Sequence, residues 1–196
     1  MIKRSFDIAV SGVGLALCLP LVLVVAALIK WDSKGPVFFR QERIGKNFRP
    51  FWIYKFRFMV QDATEKGAPI SVADDSRITR IGRVLRKTKI DELPQLINVL
   101  KGEMSLVGPR PEVPTYVQLF REDYEEILQV RPGITDLASL KYRDEGALLA
   151  HAKNPEEEYV MHVLPDKIAL AKEYVQRSSF LFDVFLIIKT PLRLLS

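Results

Sequence analysis

The sequence predicts a mainly helical α+β chain with a membrane-embedded segment near its start and one small β-hairpin. Three features lead there. Ile8 to Ile29, "IAVSGVGLALCLPLVLVVAALI", is a run of 22 residues without a charge. Two runs rich in aromatic and β-branched residues, Pro36 to Arg43 and Pro50 to Met59, flank a Gly-Lys-Asn turn. Beyond Asp75, apolar residues recur at helical spacing between proline and glycine punctuation. The expected division is a membrane region at 1–34 and one further structural unit at 35–196, without repeats or low-complexity tracts.

About 20 apolar residues suffice to cross a bilayer as a helix. The run is also longer than the ~7–15 apolar residues of a secretory signal, although Lys3, Arg4 and Ala27 would suit one. Lys3 and Arg4 flank one end, and Lys30 and Lys34 the other, which is best satisfied with both ends on the cytoplasmic side. Pro20, near the middle, removes a helical hydrogen bond and can bend the chain. Each arm would then reach ~18 Å at 1.5 Å per residue, a little over half of a ~30 Å hydrocarbon core. A full span and a re-entrant hairpin both fit these numbers. Cys18, the single cysteine, reads as a small hydrophobe, and no internal disulfide can form.

A net charge of +5 points to an anionic partner: nucleic acid, a phosphorylated small molecule or acidic lipid. No nucleic-acid reading motif or regular aromatic platform accompanies it. Only His151 and His162 supply imidazoles, which argues against zinc. Gln61 to Ser76 reads as a polar surface loop. Arg77, Arg80, Arg83 and Arg86 recur every third residue on an expected helix whose other side carries Ile78, Ile81, Val84 and Leu85. That face is either solvated or supplies phosphate ligands, Arg86 being the best placed. Asn154-Pro155 before three glutamates starts a helix, which Pro165 should break or kink before a second helix from Asp166 toward Gln176. The C-terminal "SFLFDVFLIIKTPLRLL" could pack as a core helix or lie on a membrane interface, and leaves room for a homodimer contact.

In "RKTKIDELPQLINVLKGEMSLVGPRPE", Pro94 suits a first helical position, and Leu93, Leu96, Ile97 and Leu100 read as a buried stripe ended by Gly102. Asp91 and Glu92 therefore fall at or just before a helix N-terminus, where negative charge is favoured. They could simply cap the helix. The same place also suits a phosphate, and an ionised carboxylate there could attack phosphorus once a cation screens the charge. Neighbouring helical positions point ~100° apart, so the two acids should have different jobs. Arg110, held between Pro109 and Pro111, loses little freedom on binding an anion.

This motif, with "KRSFD", "GPVFFRQERIG", "YKFRFM" and "VRPGITDLASLKYR", resembles the small monotopic phosphoglycosyl transferases of the bacterial sugar transferase family, over nearly the whole chain. The resemblance implies transfer of a phosphosugar from a UDP-sugar to polyprenyl phosphate at the bacterial inner membrane, with the site on the cytoplasmic face and UMP released. It implies Asp91 as nucleophile, Glu92 as its acidic partner, and Mg²⁺ at both. Arg86, Arg110, Arg143 and Lys55 match phosphate-binding positions, and Pro20 matches the break of a re-entrant membrane helix. Four positions depart from the family pattern: Leu19 stands where Ser is frequent, Phe48 where Gly is usual, Phe58 where Ser or Thr is usual, and Asp136 where Gly is common.

Overall fold

The computed structural model describes residues 2–63, 72 and 75–195. Most of the loop expected at Gln61–Ser76 lies outside the described residues. Helix α1 (Ile2–Asp32) takes up the apolar run. It is long and apolar enough to cross a membrane, and Val13, Leu17, Leu23 and Val24 point outward. Pro20 sits inside the helix, which is assigned as one element and not as two. A proline deletes one N–H and crowds one carbonyl, which can bend a helix without ending it.

Both ends of α1 are fastened to the same globular body. Near the start, Lys3 donates to the Val107 carbonyl and pairs with Asp183, while Asp7 accepts from Ser105 Oγ at 2.8 Å and Leu106 N at 3.2 Å. Arg4 donates to the carbonyls of Val99 and Leu100, the bare C-terminal end of α3 (Gln95–Lys101). At the far end, Val25 and Ile29 pack on Phe56 and Leu85. The Asp32 carboxylate accepts from Ile81 N at 3.0 Å, at the N-terminus of α2 (Arg80–Thr88). Arg57, buried, then holds the exit by donating to the carbonyls of Ser33, Lys34 and Pro36.

The hairpin forms as expected, slightly trimmed: β1 (Phe38–Ile44) pairs antiparallel with β2 (Pro50–Phe56), from Phe38 opposite Phe56 to Ile44 opposite Pro50. At its tip Asn47 and Phe48 both take positive φ, 57° and 59°. Such a turn favours glycine at its second position, so Phe48 departs from the family pattern at a strained site. Its ring is compensated by Arg121, whose guanidinium carbon lies 4.9 Å from the ring centre. Inward-facing Phe51 and Ile53 pack on Val99 and Met104.

Several expectations need correction. Arg77 lies ahead of α2 and pairs with Asp75, and Val84 is exposed, so the arginine series is not one helical face. On α3 the buried residues are Gln95, Asn98 and Val99, whereas Ile97 and Leu100 are exposed. The reason lies in Asn98, whose side chain bridges Tyr54 N and the Trp52 carbonyl and so ties α3 to β2 by its polar face. Pro94 precedes α3 as its cap position. Two three-residue strands went unforeseen, β3 (Ser105–Val107) and β4 (Gly133–Thr135), paired in parallel.

Helices α4 (Pro114–Leu119), α5 (Arg121–Ile127), α6 (Leu137–Lys141), α7 (Glu145–Ala150) and α8 (Pro155–Glu158) are short. With α9 (Leu164–Arg177) they enclose a core of Tyr116, Tyr124, Ile127, Leu149, Leu164 and Ile168. Asn154 caps α8 as read from sequence. Pro165 does not break the chain: a π-helical turn, Tyr159–Val163, widens the helix so that Leu164 N donates five residues back to Tyr159. Helix α10 (Phe180–Leu195) buries Asp183 and Leu186 and leaves Leu181, Phe185, Ile188 and Leu192 exposed on the other face.

Backbones touch at two glycines that frame the next region. A Cβ on Gly82 would lie 1.9 Å from the Phe58 carbonyl oxygen, and one on Gly133 would lie 2.1 Å from Gly108 N. Gly82→Ala should therefore lower unfolding free energy by about 3 kcal/mol or more. Gly12→Ala, where nothing lies within 4 Å, should be neutral or slightly stabilising. Thermal denaturation of both variants checks this; equal midpoints would refute the close contact.

Candidate active site

Lys89 ends α2 in the left-handed conformation, φ 58°, and reverses the chain into a single 3₁₀ turn, Ile90–Glu92. The two acids sit on this turn and make no capping hydrogen bond to α3. Asp91 is buried, 3% exposed, and its Oδ1 has no hydrogen-bond partner among the described residues. Glu92 is engaged on both oxygens: Lys55 Nζ donates to Oε1 at 2.8 Å, and the Arg110 guanidinium grips the carboxylate with both terminal nitrogens.

Each cation arrives on a separate element. Lys55 projects from β2, and Arg110 follows β3. Gly108 N donates to the Thr135 carbonyl and Gly133 N to the Pro109 carbonyl, so the parallel strand pair fixes the Pro109-Arg110-Pro111 loop. Asp136 adds to this. Its Oδ1 accepts from Ser139 N, capping α6, and its Oδ2 accepts from Arg110 N at 3.1 Å. The sequence marked Asp136 only as a departure; its place here depends on a side chain spanning two loops, which spacing does not reveal. Phe58, another departure, lies beneath Arg86, whose guanidinium carbon is 5.9 Å from the ring centre. Arg86 also donates to the Val72 carbonyl at 2.7 Å.

These groups line one cavity of about 1510 Å³, which contains Lys55, Arg86, Asp91, Glu92, Arg110 and Arg143 in its wall. All six sequence-derived site residues are thus brought together. Pro20 is not among them, since it lies on the exposed mid-length of α1. Neither histidine lines the cavity, and both are exposed. Sequence reasoning missed a second polar group in the same wall: Arg43 donates to Glu112 at 2.8 Å, and Tyr159 donates to the same carboxylate at 2.6 Å. Glu112 closes the quoted "GPRPE" motif, so the signal was present but unread.

The electrostatics separate the two acids. Burial pushes Asp91 up to about 6, against the pull of Lys55 and with the added push of Glu92. Burial acts on Glu92 in the same sense, but the Arg110 and Lys55 charges overcome it and hold that carboxyl well below its usual range. Arg110 is raised in turn by Glu92. One carboxylate has its ionised form favoured and is spent on its partners; the other, pushed up to about 6, is ionised near neutral pH with an oxygen to spare. For a hard cation the donor set is small. Among the described residues no three acidic, histidine or cysteine side chains converge, and Asp91 Oδ1 is a carboxylate oxygen without a hydrogen-bond partner. That suits Mg²⁺, which binds through one or two carboxylates and takes its remaining ligands from phosphate and water.

A family model described as bacterial sugar transferase matches residues 1–196. A UDP-N-acetylgalactosamine-undecaprenyl-phosphate N-acetylgalactosaminephosphotransferase of Aeromonas hydrophila is 41% identical over 96% of this chain, which spans 42% of that protein. A UDP-glucose:undecaprenyl-phosphate glucose-1-phosphate transferase of Caulobacter vibrioides is 37% identical over 99% of this chain and 70% of its own length. The exopolysaccharide production protein ExoY of Rhizobium meliloti is 36% identical, with 97% of this chain and 84% of that protein covered.

Asp91 also leaves a mark on stability. Its folded value near 6 exceeds the ordinary 3.8, so the folded state holds its proton longer than the unfolded chain. The contribution is full below about pH 4 and is lost as pH rises toward 6. Asp91→Asn should therefore gain about 1–2 kcal/mol over wild type between pH 5 and pH 8. Denaturation curves at both pH values test this, and a constant difference would overturn it.

Proposed function

The chain belongs to the bacterial sugar transferase family, and from that premise we propose that it transfers a sugar-1-phosphate from a UDP-sugar to polyprenyl (undecaprenyl) phosphate, releasing UMP and starting a bacterial glycoconjugate. The observation that carries this reading is the asymmetry of the adjacent acids: Asp91 buried with an uncommitted oxygen, Glu92 neutralised by Lys55 and Arg110. Two relatives carry a UDP-sugar and undecaprenyl phosphate in their names, which supports the choice of donor and acceptor.

In the first half-reaction an Asp91 oxygen attacks the phosphorus attached to the sugar. The new O–P bond forms as the bond to UMP breaks, and UMP leaves with the electron pair. Arg86 and Arg143 stand in the cavity wall to hold the diphosphate oxygens, while Arg110 meets them from its anchor on Glu92. In the second, an oxygen of polyprenyl phosphate attacks the same phosphorus and Asp91 departs as a carboxylate. Mg²⁺, held by Asp91 and backed by Glu92, would offset the negative charge of the diphosphate. Two phosphorylated substrates thereby use one site in turn.

A lipid phosphate acceptor requires a site level with headgroups. We place the enzyme on the cytoplasmic face of the bacterial inner membrane, with α1 entering and leaving that same face. Fastening of Lys3, Arg4 and Asp7 at one end and Ile29 and Asp32 at the other to one body supports this. A straight span would carry one set of contacts across ~30 Å of hydrocarbon. Pro20 is the point at which α1 would bend.

Three results are expected. Asp91→Asn should abolish UMP release, and an adduct of sugar-phosphate mass should map to Asp91 in wild-type protein trapped during turnover; full activity in the variant would exclude covalent catalysis. The donor kcat/KM should fall roughly tenfold per unit once pH drops below about 6, where Asp91 becomes protonated. In a Cys18→Ser background, thiol labels at Ile2→Cys and Lys34→Cys should react from one side of sealed vesicles; reaction from opposite sides would mean a span.

A further inference from the structure

Beside the Lys55–Glu92–Arg110 cluster, the cavity wall carries polar chemistry that the phosphates do not use. Lys167 of α9 pairs with Glu145 at the start of α7, and its ammonium lies 4.9 Å from the ring centre of Tyr159 and 5.8 Å from that of Tyr142. The Tyr142 hydroxyl donates outward to Asp166 at 2.8 Å, which holds its ring in the wall. All four side chains line the cavity. Lys167 is only 13% exposed although its long stem could reach water. Glu145 lies within electrostatic reach of both Arg86 and Arg110, which share the cavity wall with Asp91.

We propose that Glu145 and Lys167, flanked by the Tyr142 and Tyr159 rings, read the hydroxyl pattern of the transferred sugar. The inference rests on a UDP-sugar being the donor. Charge decides which part of the donor belongs here. The arginine side of the cavity attracts the diphosphate. On this wall Glu145 and Glu112 offset Lys167 and Arg43, so the lining is close to neutral and rich in both donors and acceptors. An anionic group would meet two carboxylates; a neutral polyol meets complementary partners throughout. A carboxylate accepts from sugar hydroxyls, an ammonium donates to ring or hydroxyl oxygens, and tyrosine faces cover the C–H side of the ring. Because phosphorus must reach Asp91, its sugar substituent lies within reach of this neighbouring wall.

The test uses the purified full chain with undecaprenyl phosphate, UDP-glucose and UDP-N-acetylgalactosamine, following UMP release. Glu145→Gln and Lys167→Met should each lower kcat/KM for the preferred donor roughly 10- to 100-fold, the loss expected for a hydrogen bond to a charged group. The ratio between the two donors should shrink toward unity, inhibition by UDP should stay within about threefold of wild type, and Lys167→Arg should recover much of the selectivity. An unchanged donor ratio, or a UDP inhibition constant that weakens in step with kcat/KM, would make the pair a structural bridge between α7 and α9 and overturn the inference alone. A wild-type protein silent with both sugars and with other UDP-sugars would overturn the functional reading and this one together.

Discussion

Two carboxylates on successive residues cannot both be buried as anions without compensation, and the way this chain meets that constraint organises the whole site. Glu92 receives two cations, one from the hairpin and one from the loop after β3. Removing either would leave a buried charge partly unpaired, which is far costlier than losing a surface ion pair. The hairpin, the parallel strand pair and the reversal at Lys89 must therefore keep a common register. The backbone contacts at Gly108–Gly133 and Gly82–Phe58 are the devices that keep it. With Glu92 satisfied, Asp91 keeps its Oδ1 without a hydrogen-bond partner among the described residues.

Much of this was legible from residue order. The hairpin showed as alternating aromatic runs around a turn, the α8 start as Asn-Pro-Glu, and the site as acids beside arginines near prolines. What was not legible depended on contacts between distant segments. Strands of three residues give no periodic signal, so β3 and β4 were invisible. The apolar stripe expected around α3 holds at Leu93 and Leu96, which pack on the core, but not at Ile97 and Leu100, because Asn98 satisfies two hairpin backbone groups, a long-range requirement that outweighs local hydrophobicity. Pro165 was read as a break or kink, because sequence does not announce a π turn. Asp136 and Glu112 lay in plain view, but their partners, Arg110 N and Arg43, could be assigned only in three dimensions.

Position 48 shows how a local irregularity can still belong to the fold. Phenylalanine in a left-handed turn costs on the order of 1 kcal/mol relative to glycine. Its ring returns contact with Arg121 and with the core around Ile127 and Leu128. The hairpin tip is thereby tied to α5, at the opposite end of β2 from Lys55. A glycine there would relax the backbone and release the tie.

The two-ended fastening of α1 has a practical corollary for handling the molecule. Cutting behind Lys34 would not liberate a water-soluble catalyst. Phe56 and Leu85 would lose their cover, the carbonyls at the end of α3 would lose Arg4, and the α2 N-terminus would lose Asp32. Extraction with a mild detergent that covers the exposed apolar faces of α1 and α10, while leaving their inner faces docked, is the physically consistent route to an intact preparation.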